Sequence, residues 1–150
     1  RQTKAGKNGK EKNGKTPERI TSIQNKEKHM DQHKVILIAE DVNSNFLLLK
    51  AMIGKEYDLV RAVNGKEAIE LNKTVHPDLI LMDIKMPEMN GIEALKEIRK
   101  KDTNIPIIMQ SAYAFENDME AARAAGSNGF ITKPVMPREL KMYLDKYLTK

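Results

Sequence analysis

Apolar residues gather in five short runs along residues 35–150, and segments of helical character separate these runs. The runs start about 20 to 27 residues apart, at Val35–Ala39, Asp58–Val63, Leu79–Met82, Ile105–Met109 and Gly129–Ile131. This spacing leaves room for a helix between successive strands, and parallel strands need such a connection. Because the runs are continuously apolar and do not alternate with polar residues, they predict strands that are buried on both faces.

The segments between the runs carry start and stop signals of helices, namely polar caps, glycine stops and an N-terminal proline. The signals are Asn43 or Ser44 with a stop at Gly54, Asn64-Gly65, the apolar face Ile92, Leu95 and Ile98, the segment Glu116–Ala125 before Gly126, and Pro137. Five strands alternating with five helices predict an α/β fold, a (βα)5 doubly wound parallel sheet covered on both faces. Periodicity leaves the strand order open.

The first 34 residues differ from the rest in composition and charge. They hold ten lysines and arginines against four acidic residues, whereas residues 35–150 hold sixteen against seventeen. A segment with almost no apolar residues cannot bury enough surface to offset the entropy of ordering the chain. We therefore predict a basic flexible linker or tail over residues 1–34 and a folded domain over residues 35–150. A basic arm for nucleic acid or an anionic membrane is the alternative, but the segment lacks aromatics and an amphipathic face, so we expect no direct nucleic-acid contact.

Composition excludes several classes of protein. The chain has no cysteine, which excludes disulfides, thiolate metal sites and cysteine nucleophiles. It has no run of about 18 apolar residues that would predict a membrane span, and its polar N-terminus does not resemble a secretory signal. We expect a cytoplasmic domain, and anchoring of a longer parent chain in the inner membrane stays open.

Polar residues follow four of the five predicted strands. The carboxyl ends of parallel strands meet at one edge of a sheet, and open α/β sheets bind ligands beyond that edge. Taken singly, each residue could cap a helix, start a turn or lie on the surface. Together they predict a site at one edge. In chain order they are Glu40 and Asp41, then Asp83, then Gln110 and Ser111, then Lys133.

The chemistry of these side chains favours a metal ion and a phosphoryl group. Three neighbouring carboxylates raise one another's pKa unless a cation is present. An all-oxygen site without histidine or cysteine suits Mg²⁺. Lys133 supplies a positive charge and Ser111 a hydrogen-bond donor for phosphoryl oxygens. Asp83 can then act as the nucleophile and form an aspartyl phosphate.

Four stretches carry a resemblance to a known family, namely "ILIAED", "LILMDIKMPEMNG", "IIMQSAYA" and "GFITKPV". Through them, residues 34–150 resemble the receiver domain of two-component response regulators. The resemblance implies a flavodoxin-like fold with strand order 2-1-3-4-5. It also implies a phosphoacceptor function, in which a phosphoryl group passes from a phosphohistidine to an aspartate with Mg²⁺ as cofactor.

The resemblance also implies a role for each residue at the strand ends. Asp83 corresponds to the phosphoacceptor, and Phe130 to an aromatic switch residue that works with Ser111. Glu40 stands where an aspartate is often found. The implied Mg²⁺ ligands are Glu40, Asp41, Asp83 and the backbone carbonyl of Lys85; the implied contacts of the phosphoryl group are Ser111 and Lys133; and the implied cis peptide bond is Lys133-Pro134.

The resemblance predicts partners as well. A histidine kinase domain or a histidine-phosphotransfer protein would donate the phosphoryl group. The fourth helix is rich in alanine and is expected to bury less surface than the first or fifth. We therefore predict that phosphorylation shifts the surface of the fourth helix, fifth strand and fifth helix, through which a weak homodimer could also form.

The ends of the chain suggest a context, which we state as an expectation. A polar linker precedes the domain, and the chain stops directly after the fifth predicted helix. This order is similar to that of the C-terminal receiver of a hybrid sensor histidine kinase, and a stand-alone single-domain response regulator is the alternative. Whether the chain counts as an enzyme stays open, because it supports only its own phosphorylation and dephosphorylation.

Two other classes of protein are weaker alternatives. A Mg²⁺-dependent phosphatase that forms an aspartyl phosphate would need a D-x-D motif after the first strand, whereas Glu40 and Asp41 are adjacent. A flavodoxin-like nucleotide or flavin binder would place a glycine- or hydroxyl-rich phosphate loop at that position, where this chain has acids.

Overall fold

The computed structural model describes residues 33–113 and 116–149. Strands and helices alternate in the order β1 (Val35–Ala39), α1 (Asn43–Ile53), β2 (Asp58–Ala62), α2 (Gly65–Val75), β3 (Leu79–Asp83), α3 (Gly91–Arg99), β4 (Ile107–Ser111), α4 (Glu116–Ala124), β5 (Gly129–Thr132) and α5 (Pro137–Leu148). No helix in these ranges is long and apolar enough to cross a membrane. The predicted linker or tail lies outside them, except for its last two residues.

The five strands form one parallel sheet in the order β2-β1-β3-β4-β5. This topology confirms both the (βα)5 prediction and the flavodoxin-like strand order that the resemblance implied. The register aligns the carboxyl ends of neighbouring strands, since Ala39 pairs with Ala62 and with Met82, and Asp83 pairs with Gln110. Polar residues at these ends are therefore neighbours in space.

The sheet separates two apolar cores. On one face, α1 and α5 cover it with Leu49, Ile53, Leu140 and Leu144. On the other face lie α2, α3 and α4, and α4 contributes a single fully buried residue, Ala122. Every residue of β1, β3 and β4 is buried. Continuous apolar runs therefore did indicate strands covered on both sides.

The predicted bounds of the fourth strand are wrong by two residues. The prediction was Ile105–Met109, whereas β4 runs from Ile107 to Ser111. Pro106 has no N–H to donate to a ladder, and the ladder continues beyond Met109 because Ile84 N donates to Gln110 O at 3.0 Å. Gln110 and Ser111 thus belong to the strand and do not follow it. Asp83 and Thr132 are likewise the last residues of their strands.

The helix caps were predicted correctly at some ends and wrongly at one. Asn64 accepts a hydrogen bond from Glu67 N, so it caps α2 as predicted. Neither Asn43 nor Ser44 caps α1, because the cap position is Val42, which has no side-chain cap hydrogen bond. The side-chain oxygen of Asn43 instead accepts from Arg61 Nη1 at 3.0 Å.

Gly91 is expected to tolerate no side chain, because it begins α3 directly against the strand that carries Asp83. A Cβ on Gly91 would collide with the backbone carbonyl of Asp83, and this oxygen cannot move without shifting β3. Overpacking of this kind destabilises by about 1–3 kcal/mol. We expect Gly91→Ala to lower the free energy of unfolding by about that amount in urea denaturation. Lys66→Ala, at an exposed helical position, is the control and should change it by less than about 0.5 kcal/mol.

Candidate functional site

Three carboxylates lie together at the carboxyl edge of the sheet. Glu40 follows β1 and is fully buried, and Asp83 ends β3 with only 4% of its surface exposed. Asp41 is exposed. One carboxylate oxygen from each residue lies within 4.8 Å of the other two. The predicted acidic cluster is therefore present, and two of its three members are withdrawn from solvent.

Lys133 joins the two buried carboxylates. Its Nζ donates to Glu40 Oε1 at 2.8 Å and to Asp83 Oδ2 at 2.9 Å. The residue follows β5 directly, and the Lys133–Pro134 peptide bond is cis, as the resemblance implied. One ammonium group thus faces two carboxylates, so the buried part of the site carries a formal excess of one negative charge.

Burial and the neighbouring charges perturb the pKa values of Asp83 and Lys133. Burial raises the pKa of Asp83, the Lys133 ammonium lowers it, and Glu40 raises it again, with a net pKa of about 6. Burial alone would lower the pKa of Lys133, but its hydrogen bonds to Glu40 and Asp83 outweigh that effect and raise it. At neutral pH the lysine is therefore charged, and Asp83 is mostly ionised but readily protonated.

Glu40 is held by hydrogen bonds at every polar group. Its Oε2 accepts from Val42 N at 3.2 Å and from Asn45 Nδ2 at 3.3 Å. Its backbone N–H donates to Ala62 O at 2.9 Å, and its carbonyl accepts from Arg61 Nε at 3.0 Å. Its buried charge is thereby compensated, as a carboxylate without access to solvent requires.

The remaining predicted site residues lie nearby but in different settings. Ser111 is fully buried at the end of β4, and its Oγ accepts from Tyr113 N at 3.1 Å. Phe130 is partly buried against the core that faces α2, α3 and α4. Lys85 lies in the connection between β3 and α3 and is exposed. These positions place Ser111 on the strand next to Asp83, and Phe130 one strand further along the sheet.

Gln110 is a residue of the site that the sequence did not single out for a role. It is 1% exposed, and its Nε2 has no hydrogen-bond partner. It lines a cavity of about 60 Å³ between α1 and the connection from β5 to α5, together with Glu40, Lys133 and five other residues. A polar residue in an otherwise apolar strand was the available signal, and the same signal would have found Arg61 in β2.

The side chains of the acidic cluster fit a hard divalent cation. All the available ligand atoms are oxygens, and they belong to three converging carboxylates. Mg²⁺ and Ca²⁺ prefer such ligands, whereas zinc sites in proteins use histidine and cysteine. The local excess of negative charge would also be relieved by a cation. The cluster is therefore suited to Mg²⁺.

The chain belongs to the response regulator receiver domain family, whose sequence model matches residues 36–145. Its fold and the polar edge of its sheet are those of a receiver domain in two-component signalling, and a phosphoacceptor role fits this membership. Receiver domains bind Mg²⁺ in their active site and interact with histidine kinases or phosphotransfer proteins.

Similar proteins include both short and multidomain regulators. The chain is 43% identical over 115 residues to the chemotaxis protein CheY of Thermotoga maritima, covering 75% of this chain and 96% of that protein. It superimposes with a TM-score of 0.73 and 30% identity on the receiver domain of a sensor histidine kinase from Pseudomonas aeruginosa, covering 79% of this chain and 99% of that one. That structure has a magnesium ion coordinated in its active-site cleft.

A further similar structure is a complex. It contains CheX, CheY, BeF3 and Mg²⁺ from Borrelia burgdorferi, with a TM-score of 0.73 and 26% identity, covering 78% of this chain and 90% of that one.

The pKa of Asp83 gives the metal-free protein a defined pH dependence. The pKa of about 6 in the folded state lies above the ordinary value of 3.8, so the folded protein binds more protons than the unfolded chain between these values. The free energy of unfolding should therefore fall as pH rises from about 4 to about 6, and this loss should persist above pH 6. Asp83→Asn should remove this part of the decline and be more stable than the wild type at neutral pH without Mg²⁺.

Urea denaturation in the presence of a chelator, at about pH 4.5 and about pH 7.5, measures this change in the free energy of unfolding. Glu97→Gln removes an exposed carboxylate and should leave the pH dependence unchanged. Equal pH dependence in the wild type and Asp83→Asn would contradict the raised pKa.

Proposed function

We propose that Asp83 is the phosphoacceptor of this receiver domain and takes its phosphoryl group from a phosphohistidine on a histidine kinase or phosphotransfer protein. The observation that carries the proposal is the position of its carboxylate. It ends a fully buried strand, lies 2.9 Å from the Lys133 ammonium and belongs to the cluster of three converging carboxylates. Within the described residues, this is the one cluster of metal-binding type.

The transfer requires a nucleophilic oxygen on Asp83. In the reaction, a carboxylate oxygen forms a bond to phosphorus while the bond between phosphorus and the donor's imidazole nitrogen breaks. The nitrogen leaves with the electron pair and becomes protonated from solvent. Lys133 remains positively charged because Glu40 and Asp83 raise its pKa. It can therefore stabilise the negative charge on the phosphoryl oxygens during the transfer.

Magnesium is the proposed cofactor, and its ligands are Asp41, Asp83, Glu40 and the backbone carbonyl of Lys85. When bound, the ion neutralises charge on the acidic cluster and on the phosphoryl oxygens. Asp41 is the exposed member of the cluster and can reach the ion directly. Glu40 is hydrogen-bonded at both carboxylate oxygens, so its contribution is to hold Lys133 as well as to provide negative charge.

Ser111 and Phe130 are proposed to transmit the signal. The Ser111 hydroxyl accepts from Tyr113 N, so turning it towards a phosphoryl oxygen would break this hydrogen bond after β4. Because α4 buries only Ala122 completely, it has less core contact to resist a shift than α1 or α5, each with two buried side chains. The α4-β5-α5 surface is therefore the proposed partner and weak-homodimer surface.

The context of the domain is part of the same proposal. The structural similarity to a receiver of a sensor histidine kinase supports a hybrid kinase, and the similarity to CheY supports a stand-alone regulator. We favour the hybrid kinase, with residues 1–34 as a flexible linker, residues 35–150 as the receiver, and the domain in the cytoplasm. Phosphoryl transfer to the receiver from a kinase domain of the same parent chain would support this context.

Phosphorylation of Asp83 can be tested with a small acyl phosphate and Mg²⁺. The wild-type protein should gain the mass of one phosphoryl group in intact-mass measurement. Asp83→Asn should gain essentially none, because an amide has no anionic oxygen to attack phosphorus. Asp145→Asn, which removes an exposed carboxylate on α5, should label like the wild type. Undiminished labelling of Asp83→Asn would refute the assignment.

The switching surface can be tested by hydrogen exchange with and without Mg²⁺ and beryllofluoride, a phosphoryl mimic. Amide protection should change in α4 and β5 and remain the same in α2, which packs away from Ser111. Asp83→Asn treated identically is the control and should show no change. A change confined to α1 in the wild type is the result that the proposal does not allow.

A further inference from the structure

Arg61 is the penultimate residue of β2 and makes three contacts, one with the connection after β1 and two with the first turn of α1. Its Nε donates to Glu40 O at 3.0 Å, and its Nη1 donates to Asn43 Oδ1 at 3.0 Å. Its guanidinium carbon lies 5.1 Å from the centroid of the Phe46 ring. The side chain is partly buried. A single guanidinium group therefore binds both ends of the four-residue segment 40–43, which we term the acidic turn.

The acidic turn carries two of the three carboxylates of the cluster, and their restraints differ. The Glu40 carboxylate accepts hydrogen bonds from Lys133 Nζ, Val42 N and Asn45 Nδ2. Glu40 is anchored to β2 through its N–H, which donates to Ala62 O at 2.9 Å. The first turn of α1 lacks a side-chain cap at Val42. Asp41 is exposed and is itself held only by the turn on which it lies, as far as the described contacts go. Its direction therefore depends on how firmly residues 40 and 43 are fixed.

The charge of Arg61 would by itself act against the function of the cluster. A positive charge near a cation site repels the cation, so it should weaken Mg²⁺ binding. The two hydrogen bonds that Arg61 donates, to Glu40 O and to Asn43 Oδ1, form a fork that has the opposite effect. If the fork holds Glu40 and Asp41 in place before the ion arrives, less ordering of these residues is required on binding. The charge of Arg61 weakens Mg²⁺ binding and the fork strengthens it, so the Mg²⁺ affinities of suitable variants distinguish the two roles.

We propose that Arg61 is a positioning residue for the metal site and acts through the acidic turn. This inference deepens the proposed function and rests on it. The planar guanidinium group donates in two directions at once, to a backbone carbonyl at one end of the turn and to a side-chain oxygen at the other. Lysine, with one ammonium group on a flexible stem, does not reproduce this geometry. The ring of Phe46 holds the guanidinium plane in place.

Three variants separate the position of Arg61 from its charge. Arg61→Gln removes both the charge and the fork, and Arg61→Lys removes only the fork. Lys66→Gln is the matched control, because Lys66 is an exposed cation that lines the same surface depression as Arg61. Isothermal titration with MgCl₂ gives the dissociation constant for each protein, and thermal unfolding shows whether each is folded.

Positioning predicts that Arg61→Lys, which keeps the charge, weakens Mg²⁺ binding by about tenfold, as is usual when a group that supports a metal ligand is removed. Arg61→Gln also removes the repulsion between Arg61 and the cation, so it should weaken Mg²⁺ binding by a smaller factor. Lys66→Gln should bind as the wild type does, or slightly more tightly. With acetyl phosphate as donor, the Mg²⁺ concentration for half-maximal phosphorylation should rise by the same factor. The rate at saturating Mg²⁺ should stay within about twofold of the wild type, because the residues that contact the phosphoryl group are intact.

Amide hydrogen exchange provides a readout without phosphorylation. Protection of Glu40 and Val42, whose amides donate to Ala62 O and to Glu40 Oε2, should fall in both Arg61 variants, while protection of β4 and β5 should not change. Asn43→Ala removes only one of the two hydrogen bonds of the fork and should weaken Mg²⁺ binding by a smaller factor than Arg61→Lys does. This variant keeps the inference testable even if both Arg61 variants fail to fold.

Several results would overturn the inference. Wild-type Mg²⁺ binding in Arg61→Lys would exclude the fork. The same result together with tighter binding in Arg61→Gln would mean that only the charge of Arg61 matters. Failure of the wild-type protein to bind Mg²⁺ would instead refute the proposed function. A wild-type protein that binds Mg²⁺ and is phosphorylated, beside Arg61 variants that do the same, would refute only the role of Arg61.

Discussion

The structure of the site depends on one ammonium group shared by two buried carboxylates. Lys133 Nζ lies 2.8 Å from Glu40 and 2.9 Å from Asp83, and neither acid has appreciable access to solvent. Burying a charge is unfavourable unless it is paired and hydrogen-bonded. One cation cannot neutralise two anions, so the site retains an excess of negative charge in a region that excludes water. Burial of Asp83, with a smaller contribution from the neighbouring Glu40, raises the pKa of Asp83 to about 6 although Lys133 lowers it, and the excess of negative charge creates a preference for a further cation. The excess of negative charge therefore destabilises the site without a metal ion and favours the binding of one.

The fold provides this arrangement through the register of the parallel sheet. Strands β1, β3 and β4 are buried along their whole length, so the two cores fix the positions of their last residues. Gly91 brings α3 directly against the Asp83 carbonyl, which fixes the connection after β3 as well. The acidic turn has no such core beneath it. Its position comes from polar contacts, which link its backbone to Arg61 and Ala62 in β2 and its Glu40 carboxylate to Lys133 and Asn45. An apolar framework therefore places Asp83, and hydrogen bonds place Glu40 and Asp41.

The sequence was sufficient to predict what periodicity and strand-end chemistry determine. Five apolar runs indicated the sheet, and Asp83 was picked out as a site residue because it is one of the polar residues at the carboxyl ends of the predicted strands. The prediction failed where side chains have competing partners. Asparagine often caps helices, but the side-chain oxygen of Asn43 instead accepts a hydrogen bond from Arg61, which lies 18 positions away in the sequence. The end of β4 was placed too early because polar Gln110 and Ser111 resemble a turn, although their backbones continue the ladder. Long-range hydrogen bonds leave no periodic trace in a sequence, so the polar residue Arg61 in β2 was not assigned a role.

The two ends of α4 differ in how they are attached to the rest of the domain, and this difference gives a direction to any shift. Beyond its C-terminal end, Arg99 of α3 donates to Gly126 O at 2.9 Å and to Asn128 Oδ1 at 2.8 Å. The same Asn128 oxygen accepts from Ile107 N at 2.8 Å, so this end is tied to both α3 and β4. The chain towards its N-terminal end leaves β4 at Ser111, whose hydroxyl holds Tyr113 N. A phosphoryl oxygen on the proposed acceptor Asp83 would accept from the Ser111 hydroxyl, and rotation of Oγ towards it would lengthen the contact with Tyr113 N while leaving the Arg99 contacts intact. Displacement of α4 should therefore begin at its N-terminal end and pivot about Arg99.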